Sequence, residues 1–543
     1  MNAELNSKSR GIPSELFPRE QDIPTSWRPA PLREQREYLV NGLFRIWRGA
    51  LTDVFSPIPV RREHRLDPRL LGRVPNLDRA AALEALAAAR TAYDRGRGQW
   101  PTLGFSGRAA VIREFAHRLA ACRVEMVQFL MWETAKSRAE AEAEFDRTLR
   151  NLDEALEEAQ SLVGGGEVAV REGISARCGR APLGVALCLG PCNHPLNETF
   201  ATLIPALLMG NTVVLKPPRH GVLLFRPLLA LWRDLLPPGV VNVIYGEGDE
   251  VLLPLMRSGD VDALAFIGSP KVGQALMQAH PRPLRLKTVM GLGAKNAAVV
   301  LPGADLEQAA RECLLGALAF NGQRCTALKI LFVHRDEVSR FIDLFVRGLR
   351  SVRWGMPWQQ GVWLTPLIEP HRPDYLRELL ADALRQGAQI LNPDGGAGSG
   401  PWFPPTVVYP VTSAMRLWRE EQFGPLVPIV SFYRWTEVED YLDQCDYAQQ
   451  ISLFARNAAQ LEPLVDPLVN QVGRVNLNCK CQRGPDNLPF GGRKDSAVET
   501  LSAREVLTSL SLPVVVAARD SAESRRLMES LSASDRCRFF SQV

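Results

Sequence analysis

The chain has 543 residues, 46% hydrophobic and 23% charged, well past the roughly 250–300 residues at which one core stops growing, so two or more domains are expected. Its 64 Lys and Arg against 60 Asp and Glu leave a net charge of +4; with no dense basic block, this argues against nucleic-acid and membrane partners. No apolar run reaches about 18 residues, Met1–Asn6 shows no basic-then-apolar leader, and the ten cysteines are scattered, so a cytoplasmic protein with reduced thiols is expected.

Residues 1–36 are polar, Pro-rich and charged and read as a loosely ordered extension. Arg36 to Gly42 reads as a strand entering a turn. From Asp78 to Val163 the pattern is helical, rich in Ala, Leu, Glu and Arg, until Gly164-Gly165-Gly166 stops it. Val168 to Arg180 alternates like a strand and suggests a ribbon leaving the main body. Short apolar runs then alternate with helical stretches: Val185–Leu189, Thr212–Leu215, Val240–Ile244 and Ala263–Ile267. Such runs indicate a parallel sheet covered on both faces. A second β/α series spans Asn296 to Val506, and a last apolar strand, Leu512 to Ala517, precedes a charged tail. Cys479-Lys480-Cys481 lacks the second Cys or His pair that a zinc site needs.

Chemistry concentrates in Phe320-Asn321-Gly322-Gln323-Arg324-Cys325-Thr326. A lone cysteine after an apolar run is commonly a small buried hydrophobe. Here it follows a polar turn beside Arg324, a setting that lowers a thiol pKa. Four further stretches matter in order: Gly190-Pro191-Cys192-Asn193-His194-Pro195, Gly210 to Pro218, Phe266 to Gly273, and Glu420-Glu421-Gln422-Phe423-Gly424-Pro425. Pro489-Phe490-Gly491-Gly492 completes the set. Together, from Tyr38 to Ala517, they resemble the aldehyde dehydrogenase superfamily. Asn321–Ala327, Val475–Asn478, Cys481–Asp486 and Gly492–Ala497 are similar to its branch of NADP-dependent, non-phosphorylating glyceraldehyde-3-phosphate dehydrogenases.

The resemblance implies an α/β fold with a Rossmann-type cofactor domain (37–163 with 184–290) and an α/β catalytic domain (291–504). It also implies an oligomerisation ribbon (164–183 with 505–518), flanked by the extension 1–36 and the tail 519–543. Cys325 would attack the aldehyde, with the Asn193 amide and the Cys325 backbone N–H stabilising the oxyanion. The expected reaction is NADP-dependent oxidation of glyceraldehyde 3-phosphate, or a similar small phosphorylated aldehyde, to the acid through a thiohemiacetal and thioester. Arg324, Arg483, Arg147 and His194 would hold the substrate, His194 standing where the branch has tyrosine. Lys216 would reach the adenine ribose, and Arg219, where NAD-preferring members carry glutamate, suits a 2′-phosphate. Gly268 and Ser269 would meet the pyrophosphate at a helix start. Leu292, Glu421 and Phe423 would line the nicotinamide end.

One departure stands out. In Met290-Gly291-Leu292-Gly293-Ala294-Lys295-Asn296, Gly291 occupies the place of the family's general-base glutamate, a contribution worth roughly 100- to 10,000-fold. Slow hydrolysis by another group, transfer of the acyl group to coenzyme A, or a non-catalytic nucleotide-binding or scaffold role all follow as alternatives. An exposed ribbon needs a partner, so a homodimer or homotetramer is expected.

Overall fold

The computed structural model describes residues 14–29, 33–63, 65–164, 168–398, 400–534 and 536–540. Residues 1–13 and 30–32 of the expected extension, Gly165-Gly166 of the glycine stop and the last three residues of the tail lie outside these.

The apolar runs form strands because each is covered on both sides. Val185–Leu189, Thr212–Lys216, Val241–Val243, Ala263–Ile267 and Lys287–Gly291 lie parallel in the middle of an eight-stranded sheet. Glu37–Val40 turns through Asn41 and Gly42, both at positive φ, into Leu43–Ile46 and closes one edge antiparallel. At the other edge Ala497–Val498 pairs antiparallel with Lys287–Gly291. A late segment of the chain thus reaches back to the first sheet.

The second sheet has seven strands, with Thr406–Tyr409, Leu426–Phe432, Ile330–His334, Ala297–Val300, Gln450–Phe454 and Arg474–Leu477 parallel in that order. Helices predicted between Asp78 and Val163 form as Arg79–Tyr93, Phe105–Ala121, Arg123–Thr134 and Arg138–Gly164. The first is capped by Asp78, whose side chain accepts from Ala81 N, satisfying one of the free amides of a helix start. The ribbon is a third sheet, Ser511–Arg519 against Ile174–Pro182 against Val168–Arg171, all antiparallel.

One expectation needs correction. The leading segment is not loose over residues 14–29: Phe17 and Ile23 are buried in the first core, and Trp132 Nε1 donates to Trp27 O at 2.7 Å. The apolar residues among the charges had to go somewhere, and the core took them. The tail likewise continues as a helix, Ala522–Ser532, and buries Phe540. Among the described residues no helix is long and apolar enough to cross a membrane.

Candidate active site

In the first sheet the spatial order of strands departs from chain order on either side of Val185–Leu189, with Thr212–Lys216 on one flank and Ala263–Ile267 on the other. Connections leaving this strand and its neighbour diverge to opposite sides, so a crevice opens at the carboxyl ends. A cavity of about 1070 Å³ occupies that position. The first sheet contributes Asn193, His194, Lys216, Arg219, Gly268 and Ser269 to its wall. Leu292, Cys325, Glu421 and Phe423 face them.

The loop carrying Cys325 is fixed from several directions. Phe320, Asn321 and Gly322 run consecutively at positive φ. A Cβ at Gly322 would lie 2.7 Å from both Ala317 O and Gly424 O, so only glycine fits that approach. Asn321 pairs through its amide with Thr365, accepting from the backbone N at 2.9 Å and donating to Oγ1 at 3.2 Å. Asn296 Nδ2 donates to Cys325 O at 2.7 Å, and Asn193 Nδ2 donates to Gln323 O at 2.9 Å. The Asn193 amide therefore stands beside the nucleophile loop, with one of its two N–H groups already used.

The expectation of a depressed thiol pKa at Cys325 is overturned. Burial pushes the thiol up, the negative charge of Glu198 adds to this, and Glu421 adds a smaller push. A hydrogen bond with the Gln449 side chain and the charge of Arg483 pull it down without reversing the balance. Arg324, adjacent in sequence, does not reverse it either. It is buried toward Glu140, and its Nε and Nη2 lack hydrogen-bond partners.

The other predicted cations are not free. Arg147 Nε donates to Asp486 Oδ2 at 2.8 Å. Arg483 pairs with Glu198, lies 3.6 Å from Asp486 and donates to Leu501 O at 3.1 Å. His194 Nδ1 is 2.9 Å from Lys136 Nζ and 3.4 Å from Glu144 Oε2. Burial and the Lys136 charge hold its imidazole below the usual range, against the opposing pull of Glu144. His194 and Glu198 line the cavity, and Arg483 is joined to that wall through its pair with Glu198.

At the cofactor end, burial lowers the Lys216 ammonium while Glu247, also on the cavity wall, favours its charge. Ser269 caps helix Pro270–Ala279, its side chain accepting from Val272 N, so its hydroxyl serves the helix and the helix start faces the cavity. Glu421 Oε1 is 3.1 Å from Lys329 Nζ, which also sits 4.7 Å from the Phe423 ring. Gly268 N donates to Gly291 O at 3.0 Å. A crevice of this size, lined by a helix start, Lys216, Arg219 and the Glu421 carboxylate, fits a dinucleotide.

Gly291 itself carries no left-handed backbone. It is glycine for space: an added Cβ would lie 2.6 Å from Leu501 Cδ1, and Leu501 is buried. Sequence reading missed three residues here. Glu198 is the one charged residue in helix Asn197–Leu208, and a lone charge in a helix rich in apolar residues was the available signal. Gln449 carried none beyond its place in Tyr447-Ala448-Gln449-Gln450. Glu247 is the N-cap of helix Gly248–Ser258, and its side chain makes no bond to the helix.

Residues 58–513 match the aldehyde dehydrogenase family. An NADP-dependent glyceraldehyde-3-phosphate dehydrogenase from Streptococcus equinus is 32% identical over 434 residues, 78% of this chain and 88% of that protein. A chloroplastic betaine aldehyde dehydrogenase from Atriplex hortensis is 28% identical, covering 79% of this chain and 86% of that protein. The crystal structure of NADP-dependent glyceraldehyde-3-phosphate dehydrogenase from Bacillus halodurans, complexed with NADP, superposes with a TM-score of 0.82 at 28% identity over 90% of this chain and all of that one. An NAD-dependent aldehyde dehydrogenase from Sinorhizobium meliloti gives 0.82 at 25% identity, over 93% of this chain and 98% of that one. Fold, crevice, cysteine loop and family match agree: the chain is a member of the aldehyde dehydrogenase family.

Proposed function

We propose that this protein oxidises glyceraldehyde 3-phosphate, or a similar small phosphorylated aldehyde, to the acid with NADP, working as a homodimer or homotetramer. The observation that carries the substrate reading is Arg324. Its buried Nε and Nη2, without hydrogen-bond partners among the described residues, are costly to leave unpaired, and an anionic substrate group would supply the missing acceptors. Arg147 and Arg483 lie close enough for Arg147 to act on Arg324 and for both to act on Glu198.

In this reading the Cys325 thiol loses its proton and the sulfur attacks the aldehyde carbon. The second N–H of Asn193 and the Cys325 backbone N–H stabilise the developing oxyanion, each such donor being worth about 100- to 1000-fold in rate. NADP, held by Lys216 and Arg219 at the adenine ribose, by the turn at Gly268 and Ser269, and by Leu292, Glu421 and Phe423 at the nicotinamide, supplies the hydride acceptor. Lys329 Nζ, 3.1 Å from Glu421 Oε1, fixes the carboxylate's orientation toward hydroxyl groups. Cys325 is left carrying an acyl group as a thioester.

The test is NADPH formation from glyceraldehyde 3-phosphate without added inorganic phosphate. We expect a robust rate with NADP, a slower one with NAD, and none in Cys325→Ala. Arg219→Glu should lower the NADP-to-NAD ratio of kcat/KM by about 10- to 100-fold, the worth of one charged hydrogen bond of about 1.5–3 kcal/mol. Absence of reduction with a panel of phosphorylated aldehydes would remove the substrate reading. A second reading, release of the acyl group to coenzyme A, is favoured by Leu501 filling the space beside Gly291. A rise in rate and an acyl-thiol product on adding coenzyme A would select it.

A further inference from the structure

Something must take a proton from water if the acyl group on Cys325 is to be hydrolysed, and position 291 offers no side chain for it. Glu198 stands on the first turn of helix Asn197–Leu208 and lines the same cavity as Cys325. Its carboxylate is engaged by Arg483 Nη1. Both partners are nearly buried, with side chains 12% and 9% exposed. The same Arg483 is a cation that an anionic substrate group would use.

We propose that Glu198 is the proton acceptor for release of the acyl group, and that an anion bound at Arg483 frees it for that task. The inference rests on Cys325 being the acyl carrier. Two steps follow from the geometry. An anionic group of the substrate takes donors from Arg483 and the unpartnered Arg324, and the Glu198 carboxylate swings from Arg483 toward the cavity. It then accepts a proton from water while the water oxygen forms a bond to the thioester carbonyl carbon. The tetrahedral species collapses, the C–S bond breaks, Cys325 leaves as thiolate and the product leaves as the acid. Nothing is oxidised or reduced in this step.

The charged surroundings explain why release matters. Glu198 is faced by Arg483 from the 481–486 loop, by Arg147 from helix Arg138–Gly164, by His194 from its own turn and by Cys325 from the nucleophile loop. Burial pushes its carboxyl up, and Arg483, Arg147 and His194 together hold it below the ordinary range. A carboxylate held so low is a weak base. Once substrate engages Arg483, burial gains weight, the affinity for a proton rises and the group becomes better matched to its task. Glu421, the other carboxylate acting on Cys325, is tied to Lys329 at 3.1 Å.

An activated ester tests this without cofactor or aldehyde. With 4-nitrophenyl acetate, acylation of Cys325 gives a burst of 4-nitrophenolate, and the steady rate that follows reports acyl release. With inorganic phosphate present to occupy Arg483, Glu198→Gln should keep the burst and slow the steady rate about 100-fold, with the acetyl group found on the Cys325 peptide by mass spectrometry. Glu198→Asp should recover part of the rate, which a purely structural role would not produce. Wild type should lose acyl release on the acid side of its pH profile and Glu198→Gln should not. Inorganic phosphate, standing in for the substrate's anion, should speed the steady rate of wild type and leave Glu198→Gln unchanged. A Glu198→Gln steady rate equal to wild type in the presence of phosphate overturns the base assignment. Equal or absent acceleration by phosphate in the two proteins overturns the release mechanism. No burst in wild type removes Cys325 as acyl carrier, and the proposal falls with it.

Discussion

A Cβ at position 291 would stand 2.6 Å from Leu501 Cδ1, and Leu501 is itself held by Arg483, which donates to its carbonyl at 3.1 Å. Restoring the family's carboxylate is therefore more than a one-residue change. Gly291→Glu should cost about 1–3 kcal/mol through overpacking. Leu501→Ala, which empties the same space, should lose about 2–5 kcal/mol on its own. The double variant should lose less than the sum, because each change relieves the other. Thermal unfolding of the four proteins measures that coupling, and additive losses would show that Leu501 does not occupy the site. The sequence carried the absence of the glutamate plainly, since Leu292, Gly293 and Lys295-Asn296 anchor the reading around it. It did not carry Leu501, which is 210 positions away in the chain and reaches Gly291 through tertiary packing. Arg324 shows the same limit. Adjacency in sequence suggested a cation lowering the Cys325 pKa, but burial and the Glu198 charge outweigh it and raise the thiol.

The turn from Asn193 to Glu198 owes its shape to an element that sequence reading treated only as a helix. From helix Arg138–Gly164, Glu144 reaches across: its Oε1 accepts from Leu196 N at 3.1 Å and Asn197 N at 3.2 Å, and Oε2 pairs with Lys136. Those amides open helix Asn197–Leu208, so a carboxylate from another helix does the work of an N-cap. Burial pushes the Glu144 carboxyl up, but Lys136 and His194 prevail and leave it at about 2. A carboxyl lower in the folded than in the unfolded chain contributes stability above its ordinary range and loses it as pH falls toward the folded value. Glu144→Gln should accordingly destabilise the protein by about 3–5 kcal/mol near neutral pH, since it leaves Lys136 buried without its counter-charge. The gap from wild type should narrow as pH falls through the ordinary carboxyl range toward about 2. Denaturant midpoints of both proteins across that range check the sign, and a gap constant with pH would mean that Glu144 is not ionised. Strand periods and glycine turns marked the elements in the sequence, because burial on both faces writes itself as apolar runs. Contacts between helices, such as this one, leave no periodic trace.

At the scale of the whole molecule, the ribbon leaves an apolar strand with one side unpaired. Ser511–Arg519 bonds to Ile174–Pro182 along its length on one side and is the outer strand of its sheet. One face of the ribbon is shielded by the chain's own tail: a Cβ at Gly179 would meet the Phe539 ring at 2.6 Å, and Arg177 lies 5.6 Å from the Phe540 ring. Val515 and its neighbour across the strand pair, Cys178, belong to the other face, and both are exposed, Val515 at 59%. The second sheet ends in a matching way, with Arg474–Leu477 as its outer strand and Leu477 exposed. Open apolar edges of this kind pair with further chains unless charge or a bulge blunts them. The proposed homodimer or homotetramer would cover the edge, and the tail, by shielding only one face, limits which side can be shared. Val515→Lys places a charge at the middle of the strand, facing away from the tail. It should shift the protein toward a smaller assembly in sedimentation velocity, and the shift should diminish as protein concentration rises. A mass equal to wild type at every concentration would mean that this edge is not where subunits meet. Because Val515 stands apart from the crevice, a dissociated variant that still forms the acyl group on Cys325 would show that each subunit holds a whole site.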